Sequence, residues 1–102
     1  MKKVIDGKLY DTESANLIWD YNNGYDSTNF KCCDEALYQT THGTFFLAGS
    51  GGAMTRYASE YGNRRGAGEG IVPMTADEAR KWLETVNADA DVITKVFEIA
   101  EA

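Results

Sequence analysis

The stretch from Ala36 to Tyr57 constrains the fold of this chain more than any other. Two runs of strand-forming residues, Ala36–Thr40 and Thr44–Ala48, flank a short His42-Gly43 turn and lead into a glycine cluster. Leu37, Tyr38, Thr40, Thr44, Phe45 and Phe46 are aromatic, β-branched or large, as a pleated and half-buried surface requires, and Gly43 supplies the positive φ of a tight turn. The pattern predicts a central hairpin over 36–48. Phe45 and Phe46 are adjacent, so a strand sends their side chains to opposite faces. Both faces must then be covered, which predicts a strand central to its sheet, with a helix over one side and a loop partly over the other.

Around this hairpin the chain reads in order. Asp6-Gly7 between Val4-Ile5 and Leu9-Tyr10 predicts a small N-terminal hairpin. Asp11 or Thr12 can cap a helix, and Ala15, Ile18, Trp19 and Asn22 recur at helical spacing, with Asn23-Gly24 as the stop, so a helix is predicted over 12–22. Phe30–Cys33 reads as a strand that Asp34-Glu35 interrupt. Gly49–Gly52 is expected to be a loop, Met54–Tyr61 a short helix, and Gly62–Gly70 a mobile loop. Gly70–Met74 suits an edge strand because of Pro73. Thr75 with Glu78 forms a capping-box pattern, followed by a stripe of Ala79, Trp82, Leu83 and Val86 and by a second helix from Asp89 or Ala90. The predicted fold is a single α+β domain over 1–102: an antiparallel sheet of three to five strands with an N-terminal helix and two C-terminal helices packed on it.

Composition narrows the function. Of the 102 residues 10 are Lys or Arg and 16 are Asp or Glu, a formal charge of −6. Residues 49–70 hold three Arg against two Glu and are the only non-acidic segment. Affinity for nucleic acid comes from Lys and Arg, so direct nucleic-acid binding is not expected, and a basic protein surface is the natural partner. No stretch approaches the ~20 apolar residues of a membrane-spanning helix. Asp6, Gly7 and Lys8 interrupt any secretory leader, and Cys32 and Cys33, as neighbours, suit reduced thiols; a cytoplasmic location is expected. One histidine and one adjacent pair of cysteines do not assemble a zinc or Cys-x-x-Cys motif, so no metal and no cofactor are expected.

No catalytic constellation is evident, because His42 stands beside Gly43 in a turn with no nucleophile motif, and an enzyme is not expected. The candidate interaction residues are Asp34, Glu35, Tyr38, Arg56, Tyr57 and Tyr61, since carboxylates in array can imitate phosphates to a basic channel and tyrosine combines rigid area with a polar tip. The alternative is a small-ligand or nucleotide module in the Gly49–Tyr57 segment, with Gly51, Gly52, Thr55 and Arg56 converging on an anion. Neither the Walker nor the Rossmann spacing is met there.

Three stretches carry a resemblance. They are Lys3–Ala15; Leu37–Thr40 with Gly43–Leu47 and Gly51–Tyr57; and Ile71–Thr75 with Glu78-Ala79 and Trp82-Leu83. Through them the chain resembles a family of small bacterial proteins without established chemistry, carried by phages, plasmids and integrative elements. It departs from that pattern at Arg64–Gly70. The resemblance implies the setting of a mobile element, and with it an anti-CRISPR-type inhibitor of a host nucleic-acid-handling protein, acting by covering a site.

Overall fold

The computed structural model describes residues 1–102. Eight strands precede two helices: β1 (Lys2–Ile5), β2 (Lys8–Asp11), β3 (Asn16–Asn22), β4 (Cys33–Gln39), β5 (Phe45–Gly51), β6 (Ser59–Tyr61), β7 (Arg64–Gly66), β8 (Gly68–Met74), α1 (Ala76–Thr85) and α2 (Ala90–Val96). The main sheet has the order β3-β4-β5-β8, with every pair antiparallel; β1-β2 and β6-β7 are separate two-stranded ribbons.

The β4–β5 hairpin forms about the 40–44 turn, where Gly43 sits at φ 86° and Thr40 N–H donates to the Thr44 carbonyl at 2.8 Å. Phe45 and Phe46 part to opposite faces. On one, Phe45 joins Leu37, Leu47, Ala79, Trp82 and Leu83 in the larger core, against which α1 and α2 pack. On the other, Phe46 packs with Tyr10 and Ile71 under the β1-β2 hairpin, its ring 5.4 Å from those of Tyr10 and Tyr38. That hairpin turns at Asp6-Gly7, both with positive φ (51° and 76°), the backbone that a two-residue turn between twisted strands requires. α1 opens on the capping box: Glu78 N–H donates to Thr75 Oγ1, and Thr75 N–H to Glu78 Oε1.

The predicted fold class is overturned at several elements. No N-terminal helix exists, and the chain is richer in strands than expected, with three sheets and two helices. Asp11 does cap, accepting from Glu13 N–H at 3.0 Å and Ala15 N–H at 3.1 Å, but the turn stops there and β3 begins. The helical spacing misled because β3 carries a bulge between Leu17 and Trp19, which breaks the two-residue alternation of a strand. Ile18, Trp19 and Tyr21 follow their β preference once β4 offers a partner.

Phe30 and Lys31 lie in a turn before β4, and Asp34 and Glu35 sit inside the strand instead of interrupting it. Gly49 to Gly51 complete β5 in place of the expected loop. The predicted Met54–Tyr61 helix is replaced by turns and β6, and the predicted 62–70 loop by β7 and the start of β8. β8 is an edge strand, and Pro73 lies in it.

Candidate functional site

Alternation along β4 divides the candidate residues between the two faces of the sheet. Cys33, Glu35 and Leu37 share the helix side with Gly49 and Gly51 of β5; Asp34, Ala36 and Tyr38 share the opposite side with Ser50, Ala48 and Phe46.

On the helix side Glu35 is a node. Its side chain is only 10% exposed; Oε2 accepts from the Tyr57 hydroxyl at 2.7 Å, Oε1 accepts from Trp82 Nε1 at 3.3 Å, and Arg56 Nε lies 3.7 Å from Oε2. A carboxylate taken out of water needs such partners, and here they come to β4 from the 52–58 crossing and from α1. The phenol is held protonated: burial first, then the hydrogen bond to Glu35, pushes its pKa well above the ordinary tyrosine value. Burial, with the Glu35 charge behind it, likewise pushes the Cys33 thiol up to about 11, so it stays protonated at neutral pH.

The glycine cluster serves this node. A methyl on Gly49 would stand 2.6 Å from Tyr57 Cε2, one on Gly51 2.9 Å from the Cys32 carbonyl oxygen, and one on Gly52 2.8 Å from the Asn29 carbonyl oxygen. The glycines are where a ring and two carbonyls lie flat on the end of the sheet. Four of the backbone N–H groups that an anion would use are engaged elsewhere. Gly52 N–H donates to the Cys32 carbonyl, Met54 N–H to Phe30, Thr55 N–H to Gly52 and Tyr57 N–H to Thr55 Oγ1, while the Thr55 hydroxyl donates to the Gly52 carbonyl at 2.8 Å. Arg56 is half-exposed and faces Glu35. Tyr61 stands on β6, 63% exposed, its hydroxyl donating to the Ala67 carbonyl at 3.2 Å.

The opposite side has a different character. Beside the β1-β2 hairpin the sheet leaves an open concavity of about 530 Å³, whose walls include Asp20, Asn22, Asp34, Tyr38, Ser50 and Glu69. Asp20, Asp34 and Glu69 are exposed, and no Lys or Arg side chain lines the space. Asn22 Nδ2 donates to Asp34 Oδ1 at 2.5 Å, which orients that carboxylate. No three His, Cys, Asp or Glu side chains converge as metal ligands would, so the carboxylates form a spread array.

Of the six candidate interaction residues, then, Asp34 and Tyr38 line the open side, Glu35, Arg56 and Tyr57 are tied together on the helix side, and Tyr61 is apart on its ribbon. Asp20, Asn22 and Glu69 are not among the candidates that the sequence offers. Read as a strand, 20 and 22 alternate onto the face of Asp34; read as a helix, they do not. In the sequence Trp82 belongs only to the helix stripe, and its indole N–H bond to Glu35, 47 residues away, has no local signal. No helix is long and apolar enough to cross a membrane. No family model, curated protein or solved structure matches the chain.

Proposed function

We propose that this protein is a non-enzymatic binding module that docks its acidic concave face on a basic protein surface. More particularly, we read it as an anti-CRISPR-type inhibitor from a phage or other mobile element, acting in the cytoplasm on a nucleic-acid-handling protein. One observation carries the reading: β3, β4 and β8 bring Asp20, Asp34 and Glu69 to one open side of the sheet that no Lys or Arg side chain lines. The net charge of −6 acts in the same direction, since it favours encounter with a cationic partner. The resemblance over Lys3–Ala15, over Leu37–Thr40 with Gly43–Leu47 and Gly51–Tyr57, and over Ile71–Thr75 with Glu78-Ala79 and Trp82-Leu83 supplies the setting.

The test is a charge reversal. Asp20→Lys, Asp34→Lys and Glu69→Lys together should leave the circular dichroism spectrum unchanged, abolish salt-sensitive capture of a nucleic-acid-handling protein from host lysate, and remove any protection of phage from CRISPR immunity in a plaque assay. Reversal of Asp91, on α2, should affect neither capture nor protection. Capture that persists through the triple reversal, or that high salt leaves untouched, would sink the reading.

A further inference from the structure

Backbone N–H and C=O groups are obligatory hydrogen-bonding groups, and the strand at a sheet edge presents a row of them unpaired. Which groups these are follows from the phase of the ladder. Asn23 N–H donates to the Cys33 carbonyl at 3.1 Å, and Asn23 and Cys33 continue the register that pairs Asn22 with Asp34. Hydrogen-bonded and non-hydrogen-bonded pairs alternate in an antiparallel ladder, so Tyr21 and Trp19 bond inward to Glu35 and Leu37, while Asp20 and Asn22 turn their N–H and C=O outward. The Thr40 to Thr44 bond at the far end of β4 gives the same phase. Beyond the bulge Leu17, opposite Tyr38, also points outward. No backbone bond outside the ladder to β4 involves residues 17–22. At the other edge, the same alternation turns Glu69, Ile71 and Pro73 of β8 outward, and Pro73 has no N–H to give. β3 is therefore the receptive edge.

We propose that β3 accepts an extended segment of the partner as an added strand, antiparallel like every other pair of this sheet, and that this segment carries Lys or Arg at alternate positions. The proposal rests on the reading of an acidic docking face and specifies what docks there. Charge decides the occupant. Residues of the added strand opposite Asp20 and Asn22 emerge on the concave side, next to the Asp20 and Asp34 carboxylates, while those between them fall beside Trp19 and Tyr21 on the helix side. The matching segment alternates basic with apolar or β-branched residues, and its basic residues are those whose N–H groups face β3. A second copy of the chain fits poorly, because pairing β3 with itself about a two-fold axis would extend one acidic face into another.

The probe is a fluorescent acetyl-Lys-Val-Lys-Thr-Lys-Val-Lys-amide peptide, titrated into the intact protein and followed by anisotropy and by amide hydrogen exchange. Saturation should slow exchange at Leu17, Asp20 and Asn22 about tenfold or more, as new hydrogen bonds protect them. N-methylation of the lysine nitrogens should weaken binding about tenfold or more, and N-methylation of the Val and Thr nitrogens should not, because only the first set bonds to β3. Equal binding of both methylated peptides, or binding without slowed exchange at these three amides, overturns strand addition and leaves charge-driven docking standing. No binding at millimolar peptide overturns strand addition too. Binding indifferent to salt and to the triple charge reversal overturns the acidic-face reading with it.

Discussion

At the scale of single residues, the interior is organised by a carboxylate that two distant parts of the chain satisfy. Glu35 by itself in the sheet would be a destabilising residue; with the Tyr57 hydroxyl and the Trp82 N–H donating to it, it ties the 52–58 crossing and α1 to β4. Gly49 is the seat that lets the Tyr57 ring reach it. A methyl there forces the ring off the sheet, so Gly49→Ala should cost about 1–3 kcal/mol, the usual range for overpacking. Urea denaturation checks it, and a double-mutant cycle gives the cause. In a Tyr57→Ala background the same substitution should cost almost nothing, since the ring it collides with is gone. An undiminished cost would place the strain elsewhere. The glycines that suggest an anion loop in the sequence stand where a ring, the Thr55 side chain and backbone carbonyls approach closely, which no one-dimensional pattern displays.

At the scale of elements, local rules succeed where the partner is local. The α1 capping box closes within four residues, and Arg80, flanked by Asp77 and Glu84 on the same helix face, completes an i,i+3 and i,i+4 set. Thr75→Ala should therefore lower stability by about 1 kcal/mol through loss of the N-cap, measured as a shift of the urea midpoint at constant slope. Thr75→Asp, which restores an accepting oxygen, should recover most of it. β3 shows the opposite case. Asp11 starts a turn as a cap does, but the residues after it gain more from β4 than from a helix that would leave Trp19 and Tyr21 without a sheet to cover. The bulge at Ile18 hides this outcome, because one extra residue converts an alternating pattern into one that mimics helical spacing. The acidic face was illegible for the same reason, as Asp20 and Asn22 join Asp34 only if 16–22 is a strand.

At the scale of the whole molecule, the chain is a thin sheet dressed on both sides, with extents of 48 × 32 × 20 Å and a radius of gyration of 14.6 Å, somewhat above the ~13 Å usual for a domain of this length. Only 11 residues are buried, nine of them in two clusters that the sheet keeps apart, so small free energies weigh heavily on its stability. That makes its alkaline behaviour readable. The Cys33 thiol and the Tyr57 phenol both hold their protons more tightly in the folded chain than in the unfolded one. The unfolded chain releases them near their ordinary pKa values, about 8.5 for cysteine and about 10 for tyrosine. Their contribution is therefore complete below pH ~8 and falls as the pH rises, for Cys33 until its folded value of about 11 is passed. The urea midpoint should decline from about pH 8.5 upward, and Cys33→Ala should flatten the decline between pH 8.5 and 10. A midpoint constant to pH 10 in the parent protein would contradict this account.

The sequence by itself determined the features whose physics closes over a few residues: the hairpin turn at Gly43, the opposed faces of Phe45 and Phe46, the Asp6-Gly7 turn, the α1 cap and the apolar stripe behind it. Steric limits on φ, side-chain alternation and capping hydrogen bonds act at short range, and their signals are written in adjacent residues. Tertiary structure alone decided whether 16–22 became helix or strand, which side of the sheet gathered Asp20, Asp34 and Glu69, and that Glu35 would meet Tyr57 and Trp82. Each of these depends on a partner many residues away, and an edge strand or a buried carboxylate acquires its meaning only from the neighbour that folding brings to it.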